Sequence, residues 1–331
     1  MMTRSWMLPE GVEEALPPAA WRLEELRRAL LDHFRAQAYE LVLPPLLENL
    51  DTLLTGTGSD LERQTFKLID PVGGRLLGLR ADMTPQAARI AARHFAGQPV
   101  VRLCYLGTVL RTAPDSIGGS RAPRQVGCEI FGEAGLSADL EALRLLLDTL
   151  RLAGVANAHL DLGHVGVYRA LAAKLGLDAE AETAVFDILQ RKSQPDLHEF
   201  ARAQGMDERA LAGLAALMDL NGDVGVLKRA RGVLDTADPA LEQALATVEQ
   251  AAAELQRASP QVPLHIDLAE LRGYRYQTGL VFAAFVPGHG REVARGGRYD
   301  GVGREFGCAR PATGFSADLN ELLRLGRGAG A

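Results

Sequence analysis

Between residues 166 and 255 the sequence changes character, and that change limits the folds open to the whole chain. The block is rich in alanine and leucine, helical in period and poor in strand signals. Strand patterns stand on both sides of it. Before it, Pro17 and Pro18 sit where a helix starts, since a first turn has no use for the N–H that proline lacks. Leu23, Leu26, Leu30 and Phe34 follow as one apolar face of a helix reaching about Ala38. Residues 39–44 predict a short strand ended by proline. Residues 66–69 and 75–79 predict a hairpin around Asp70-Pro-Val-Gly-Gly74. Thr84 and Pro85 predict the cap and first position of a helix to about Phe95. Strands are predicted over 100–111 and 124–131, separated by a loop rich in Gly, Pro and Ser. A helix from Ser137 to about Leu152, stopped by Gly154, and a strand over 159–163 come next.

After the helical block the strand signal returns at 263–268. Residues 280–286 and 291–295 bracket Pro287-Gly-His-Gly290 as a second hairpin, and a last helix is expected from Ser316 to about Leu325. Strands and helices that do not alternate exclude a doubly wound fold. The expectation is an α+β fold: a mixed, mainly antiparallel sheet flanked by helices, over 1–165 and 256–331, with 166–255 as a helical insertion.

Composition narrows the function classes. A hydrophobic fraction of 47% supports a real core. No apolar run is long enough for a membrane span, and the first residues, MMTRSWMLPEGVEE, lack the apolar centre of a signal peptide. A soluble, cytoplasmic protein without a membrane partner is expected. A net charge of −6 argues against a dedicated nucleic-acid binder. Cys104, Cys128 and Cys308 show no paired spacing and are expected as buried free thiols. The seven histidines show no metal-ligand spacing, and no Gly-x-Ser-x-Gly elbow exists. No metal or cofactor is expected, and from pattern alone the reading stops at a ligand site on a sheet face.

Site candidates come from strand 124–131. Side chains alternate along a strand, so Val126, Cys128 and Ile130 share one face while Gln125, Gly127, Glu129 and Phe131 share the other. Gln125 and Glu129 are aligned with a glycine between them, which either leaves room for a ligand against the sheet or marks a half-solvated strand. Asp82, in Leu-Arg-Ala-Asp-Met-Thr, either binds an amine or ends a turn. Arg111 ends a strand beside a loop. Arg272-Gly-Tyr-Arg-Tyr-Gln-Thr-Gly279 suits either an anion site or an ordinary loop. Gly296-Gly-Arg-Tyr-Asp-Gly301 suits a phosphate cradle or a hairpin exit equally, and it lacks the lysine and hydroxyl of a Walker loop.

Together these segments resemble the catalytic core of class II aminoacyl-tRNA synthetases, and specifically histidyl-tRNA synthetase. Tyr39-Glu-Leu-Val-Leu-Pro-Pro45 resembles that family's dimer-interface motif. Residues 102–111 with Gln125-Val-Gly-Cys-Glu-Ile-Phe-Gly132 resemble its second motif, Arg272-Gly-Tyr-Arg-Tyr its histidine-specific segment, and Gly296-Gly-Arg-Tyr-Asp-Gly301 a further segment. The resemblance implies a histidine pocket of Asp82, Thr84, Arg111, Gln125, Glu129, Arg272, Tyr276 and Tyr299. In that pocket Asp82 and Gln125 would hold the ammonium, Arg111 or Arg272 the carboxylate, and Glu129 the ring N–H. Gln277 stands where the family has a second tyrosine.

The departures carry the functional expectation. The second motif's adenine-reading glutamate is Ala113 here. In the third motif Asp318, Asn320 and Glu321 replace glycine, glutamate and the arginine that grips ATP. One charge pair at an effective dielectric near 20 is worth about 4 kcal/mol, so reversing its sign opposes adenylation strongly. Only a few residues follow the third motif, so no anticodon-binding domain is expected after it. Such a profile is similar to the regulatory subunits of ATP phosphoribosyltransferase, the first enzyme of histidine biosynthesis, and Leu8-Pro-Glu-Gly-Val-Glu-Glu-Ala-Leu-Pro-Pro18 also resembles that family. The resemblance implies a non-catalytic chain that activates a short-form catalytic subunit and confers feedback by L-histidine. It also implies self-association as a dimer within a hetero-octamer. The alternative is a truncated synthetase-like adenylating enzyme.

Overall fold

The computed structural model describes residues 7–55, 59–114, 119–270, 276–307 and 309–326. In chain order the first elements are α1 (Ala19–Ala36), β1 (Glu40–Leu41), β2 (Leu47–Asn49), α2 (Leu50–Leu54), α3 (Ser59–Gln64), β3 (Phe66–Ile69) and β4 (Leu76–Leu79). Next are α4 (Thr84–His94), β5 (Val101–Thr108), β6 (Arg124–Phe131), α5 (Leu136–Leu152) and β7 (His159–His164). The helical block holds α6 (Val165–Lys174), α7 (Ala179–Gln190), α8 (Gln194–Ala203), α9 (Glu208–Asp219), β8 (Asn221–Gly222), α10 (Val226–Val233) and α11 (Pro239–Ala258). The chain ends with β9 (Leu264–Asp267), β10 (Leu280–Phe285), β11 (Glu292–Arg298), β12 (Ala312–Asp318) and α12 (Leu319–Leu325). Among the described residues no helix is long and apolar enough to cross a membrane.

Two compact units result. The first comprises Met1–Ala134, Glu141–Ala156 and Asp300–Ala331, the second Gly135–Leu140 and Asn157–Tyr299. In the first unit, β1-β5-β6-β12 form a sheet in that order, and β2-β4-β3 form a small antiparallel one. In the second unit the order is β11-β10-β7-β9-β8. Only the β1/β5 and β7/β9 pairs are parallel among the pairings described. The α+β class and the mainly antiparallel sheet are therefore as expected.

The first unit's sheet is packed on both faces. Leu26, Leu30 and Phe34 of α1, spaced by four, are buried. Burying a leucine or phenylalanine contributes about 1.5–3 kcal/mol each. Phe34 meets Phe315 of β12 edge-on at 6.4 Å. Phe315 lies in register with Cys128, which in turn lies opposite Cys104. The two cysteines are buried free thiols, as expected, and they are also cross-strand neighbours. Burial pushes Cys104 up to about 12 and the Cys128 thiol well above its ordinary value, so both stay protonated and unreactive. Cys308 lies outside the described residues.

Several expectations need correction. The last helix does not begin at Ser316: Gly314, Ser316 and Asp318 belong to β12, whose seven residues pair antiparallel with β6. Local helix-compatible residues yield there to strand pairing. Asp318 is the true cap of α12, its carboxylate accepting from the Asn320 N–H at 2.9 Å. Thr84 is not the cap of α4. The helix starts at Thr84, and the Asp82 carboxylate accepts the Thr84 N–H at 2.8 Å. The strand expected over 39–44 shrinks to the two residues of β1, and β5 ends at Thr108 rather than Arg111. Gly296 and Gly297 lie within β11, opposite Phe282 and Val281, which fits the hairpin-exit reading of this segment. Arg298 binds Asp139 at 3.0 Å.

Candidate functional site

The face of β6 that carries Gln125 and Glu129 is not solvated: Gln125 is 5% exposed and Glu129 1%. Register across the sheet explains why. Gly107, Tyr105 and Leu103 of β5 lie opposite Gln125, Gly127 and Glu129, while Asp318, Ser316 and Gly314 of β12 flank the same three. Of the two readings of this strand, one has Gly127 make room for a ligand and the other leaves the face half-solvated. Gly127 makes room for Tyr105 instead, because a Cβ there would stand 2.5 Å from the Tyr105 hydroxyl and 2.7 Å from the Phe315 carbonyl. Gly314 serves Glu129 in the same way, a Cβ there falling 1.8 Å from Oε2.

Tyr105 is the residue that reading the sequence missed, and it organises the site. Its hydroxyl donates to Glu129 Oε1 at 2.8 Å and accepts from the Thr84 hydroxyl at 2.9 Å. Complete burial, with Glu129 and Asp82 nearby, pushes the Tyr105 phenol well above its ordinary value. It therefore stays a donor, and Thr84–Tyr105–Glu129 is a directed relay of hydrogen bonds.

A second set holds the other end. Gln125 Oε1 accepts the Met83 N–H at 2.8 Å, and its Nε2 donates to Asp82 Oδ1 at 2.9 Å. The Thr84 N–H reaches the same oxygen at 2.8 Å. Both hydrogen bonds of Asp82 among the described residues end on Oδ1, leaving Oδ2 as an acceptor. Arg111 is adjacent, its Nε donating to the Ala81 carbonyl at 3.3 Å. The structure thus gathers Asp82, Thr84, Gln125, Glu129 and Arg111. Two carboxylates at the ends of a buried polar row, with a guanidinium beside one, suit a ligand with an ammonium, a carboxylate and a further N–H.

The remaining candidates are not among the described residues of the first unit. Tyr299 (2% exposed) and Tyr276 (39%) are in the second unit, and Arg272 lies outside the described residues. Gln277 is 5% exposed, and its Oε1 has no hydrogen-bond partner among the described residues. Its oxygen lies against Gly297, whose φ of +155° and missing side chain admit it.

The third-motif segment presents no cation. Glu321 is 7% exposed and accepts from Arg324 Nη1 at 2.6 Å. Arg324 Nη2 also bonds Glu13, and Asn320 Oδ1 accepts from Arg124 at 2.9 Å. Burial and the neighbouring Glu321 raise the Asp318 carboxyl above its ordinary value. The charge of Glu321 is thus met within the chain. Among the described residues no group of three or more His, Cys, Asp or Glu could hold a metal.

Comparison with known proteins extends this geometry. A family model described as histidyl-tRNA synthetase matches residues 11–322. The ATP phosphoribosyltransferase regulatory subunit of Thioalkalivibrio sulfidiphilus is 56% identical over 320 residues, 97% of this chain and 81% of that one. A crystal structure described as an ATP phosphoribosyltransferase regulatory subunit/histidyl-tRNA synthetase from Bacillus halodurans is 26% identical. It superposes with a TM-score of 0.86 over 97% of this chain and 83% of that chain. An ATP phosphoribosyl transferase complex from Thermotoga maritima contains a chain of like fold, with 20% identity and a TM-score of 0.70 over 90% of this chain and 97% of that one. On this identity over nearly its full length, the chain belongs to the family of ATP phosphoribosyltransferase regulatory subunits, built on the histidyl-tRNA synthetase fold.

Proposed function

We propose that this chain, a non-catalytic regulatory subunit of ATP phosphoribosyltransferase, binds L-histidine in the first unit's pocket and relays it as feedback to a short-form catalytic subunit. The carrying observation is the pair of carboxylates, Asp82 and Glu129, at the two ends of the row through Thr84, Tyr105 and Gln125. The ligand ammonium binds Asp82 Oδ2, Arg111 takes the carboxylate, and Glu129 accepts the imidazole N–H. Arg272, Tyr276 and Tyr299 are assigned to the ligand by resemblance. The same reading includes a synthetase-like core over 1–165 and 256–331 that carries the helical residues 166–255. It places the chain in the cytoplasm, as a dimer within a hetero-octamer. Feedback requires that histidine bind two states of the complex with different affinity, and a coupling of roughly 1–3 kcal/mol is ordinary.

The test is the activity of the reconstituted complex against L-histidine. Saturable inhibition is expected with the wild-type chain. A complex carrying Glu129→Ala should resist histidine at concentrations tens of times higher. Equal inhibition of the two complexes contradicts the pocket, and no inhibition of the wild type contradicts the feedback role.

A further inference from the structure

A buried cation holds the loop that carries Asp82, Met83 and Thr84. Arg80 is 8% exposed, and no carboxylate lies within ion-pair distance of it among the described residues. Its Nε donates to the Thr108 carbonyl at 2.9 Å and its Nη1 to the Pro44 carbonyl at 2.6 Å. Its main chain is fixed as well, the N–H bonded to Leu46 O at 3.0 Å and the carbonyl accepting the Leu110 N–H at 2.9 Å. Gly107 completes the seat, since a Cβ there would stand 2.5 Å from Nη2.

Burying a guanidinium without a counter-ion is costly, and burial does push the Arg80 pKa down, with Glu48 offsetting only part. What the chain gains is geometry. A planar, rigid fork fixes two carbonyls in direction as well as distance, which a lysine cannot do. Those carbonyls belong to the end of β5 and to the 44–48 strip, so Arg80 ties both to the pocket loop.

Two more side chains grip the same strip. Gln86 Nε2 donates to Pro45 O and to Glu48 Oε1, both at 2.8 Å. Arg89 Nη2 bonds Glu48 Oε1 at 2.6 Å. Both side chains stand on α4, whose first residue is Thr84 of the pocket. On the strip itself, Leu46 and Leu47 are each 43% exposed.

We propose that Arg80 is a positioning residue, which sets the loop that receives the ligand amine and couples its state to the 44–48 strip. The inference rests on the histidine reading above. Filling the pocket stiffens the loop, and through Arg80 the strip with it.

Hydrogen exchange on the full chain, with and without saturating L-histidine, tests this alongside calorimetry. In the wild type, histidine should slow exchange of the Leu46, Leu47, Glu48 and Asn49 amides roughly tenfold, equivalent to a coupling of about 1.4 kcal/mol. Arg80→Lys should still bind histidine, more weakly, and lose that slowing when saturated. Gly107→Ala, which displaces Nη2 while keeping the arginine, should lose it too. A purely structural role would alter exchange equally with and without ligand, so the ligand-dependent difference is the readout. If Arg80→Lys fails to fold, Gly107→Ala decides. Histidine binding without slowing in the wild type, or full slowing in a saturated folded variant, overturns the inference and spares the histidine reading. No histidine binding to the wild type overturns both.

Discussion

Gln125 and Asp318 are register partners on adjacent strands, yet the polar groups around them are used in opposite ways. Around Gln125, neighbours fix one oxygen of Asp82 and leave the other, while Tyr105 keeps Glu129 oriented. Around Asp318, the chain consumes its own charges: Asp318 caps a helix, Glu321 bonds Arg324, and Arg324 bonds Glu13. The difference is between polar groups held with an acceptor left over and charges already met within the chain, which under the proposed function separates an amino-acid pocket from a former nucleotide end. A fixed polar row with an open acceptor is the part that the proposed function assigns to a ligand. A closed ion-pair chain has its charges met within the protein, so the proposed function predicts that it does not bind ATP phosphates.

Mutations that break the comparison should differ in size and in kind. The largest effect belongs to Glu129→Ala. Losing a buried charged acceptor should weaken histidine binding roughly 100-fold, about 2.7 kcal/mol, by calorimetric titration. Gly127→Ala comes next. The new methyl collides with the Tyr105 hydroxyl and a β12 carbonyl, so thermal unfolding should show a loss of about 2 kcal/mol. Glu321→Ala should cost less than about 1 kcal/mol, because Arg324 is 44% exposed and retains Glu13, and histidine affinity should not change. Equal losses of affinity from Glu129→Ala and Glu321→Ala would erase the contrast between the two ends.

The smallest effect is a sign. The Asp318 carboxyl is raised in the fold, mainly by burial and also by Glu321, so the folded state favours its protonated form. Its penalty is absent below the unfolded carboxylate pKa and grows as pH rises through the folded value. Asp318→Asn keeps a capping side chain and removes that penalty. Melting temperature should rise slightly at pH 7 and match wild type below about pH 3.9, the ordinary aspartate value. A variant less stable at pH 7 would show that the charge itself supports the fold.

Much of this contrast is legible in the sequence wherever chemistry repeats at the local period. Residues 124–131 predict β6 in full, because alternation and a central glycine suffice. The acidic substitutions at Asp318 and Glu321 are visible without a structure. What stays hidden depends on pairing between distant strands. Ser316 and Asp318 have neighbours that suit a helix, and pairing with the distant β6 makes them a strand. Tyr105 gave no signal by itself; its position directly opposite Gly127, an aromatic covering a glycine, is the signal that register would have supplied. Cys104 and Cys128 illustrate the same limit, being 24 residues apart yet in register.

Calorimetric titration of the full chain with L-histidine, followed by ATP with magnesium, tests the central claim most directly. A saturable histidine isotherm with no ATP heat, before or after histidine, is the predicted result. An ATP isotherm that strengthens once histidine is bound would contradict it, because the end around Glu321 and Arg324 would then still grip a nucleotide.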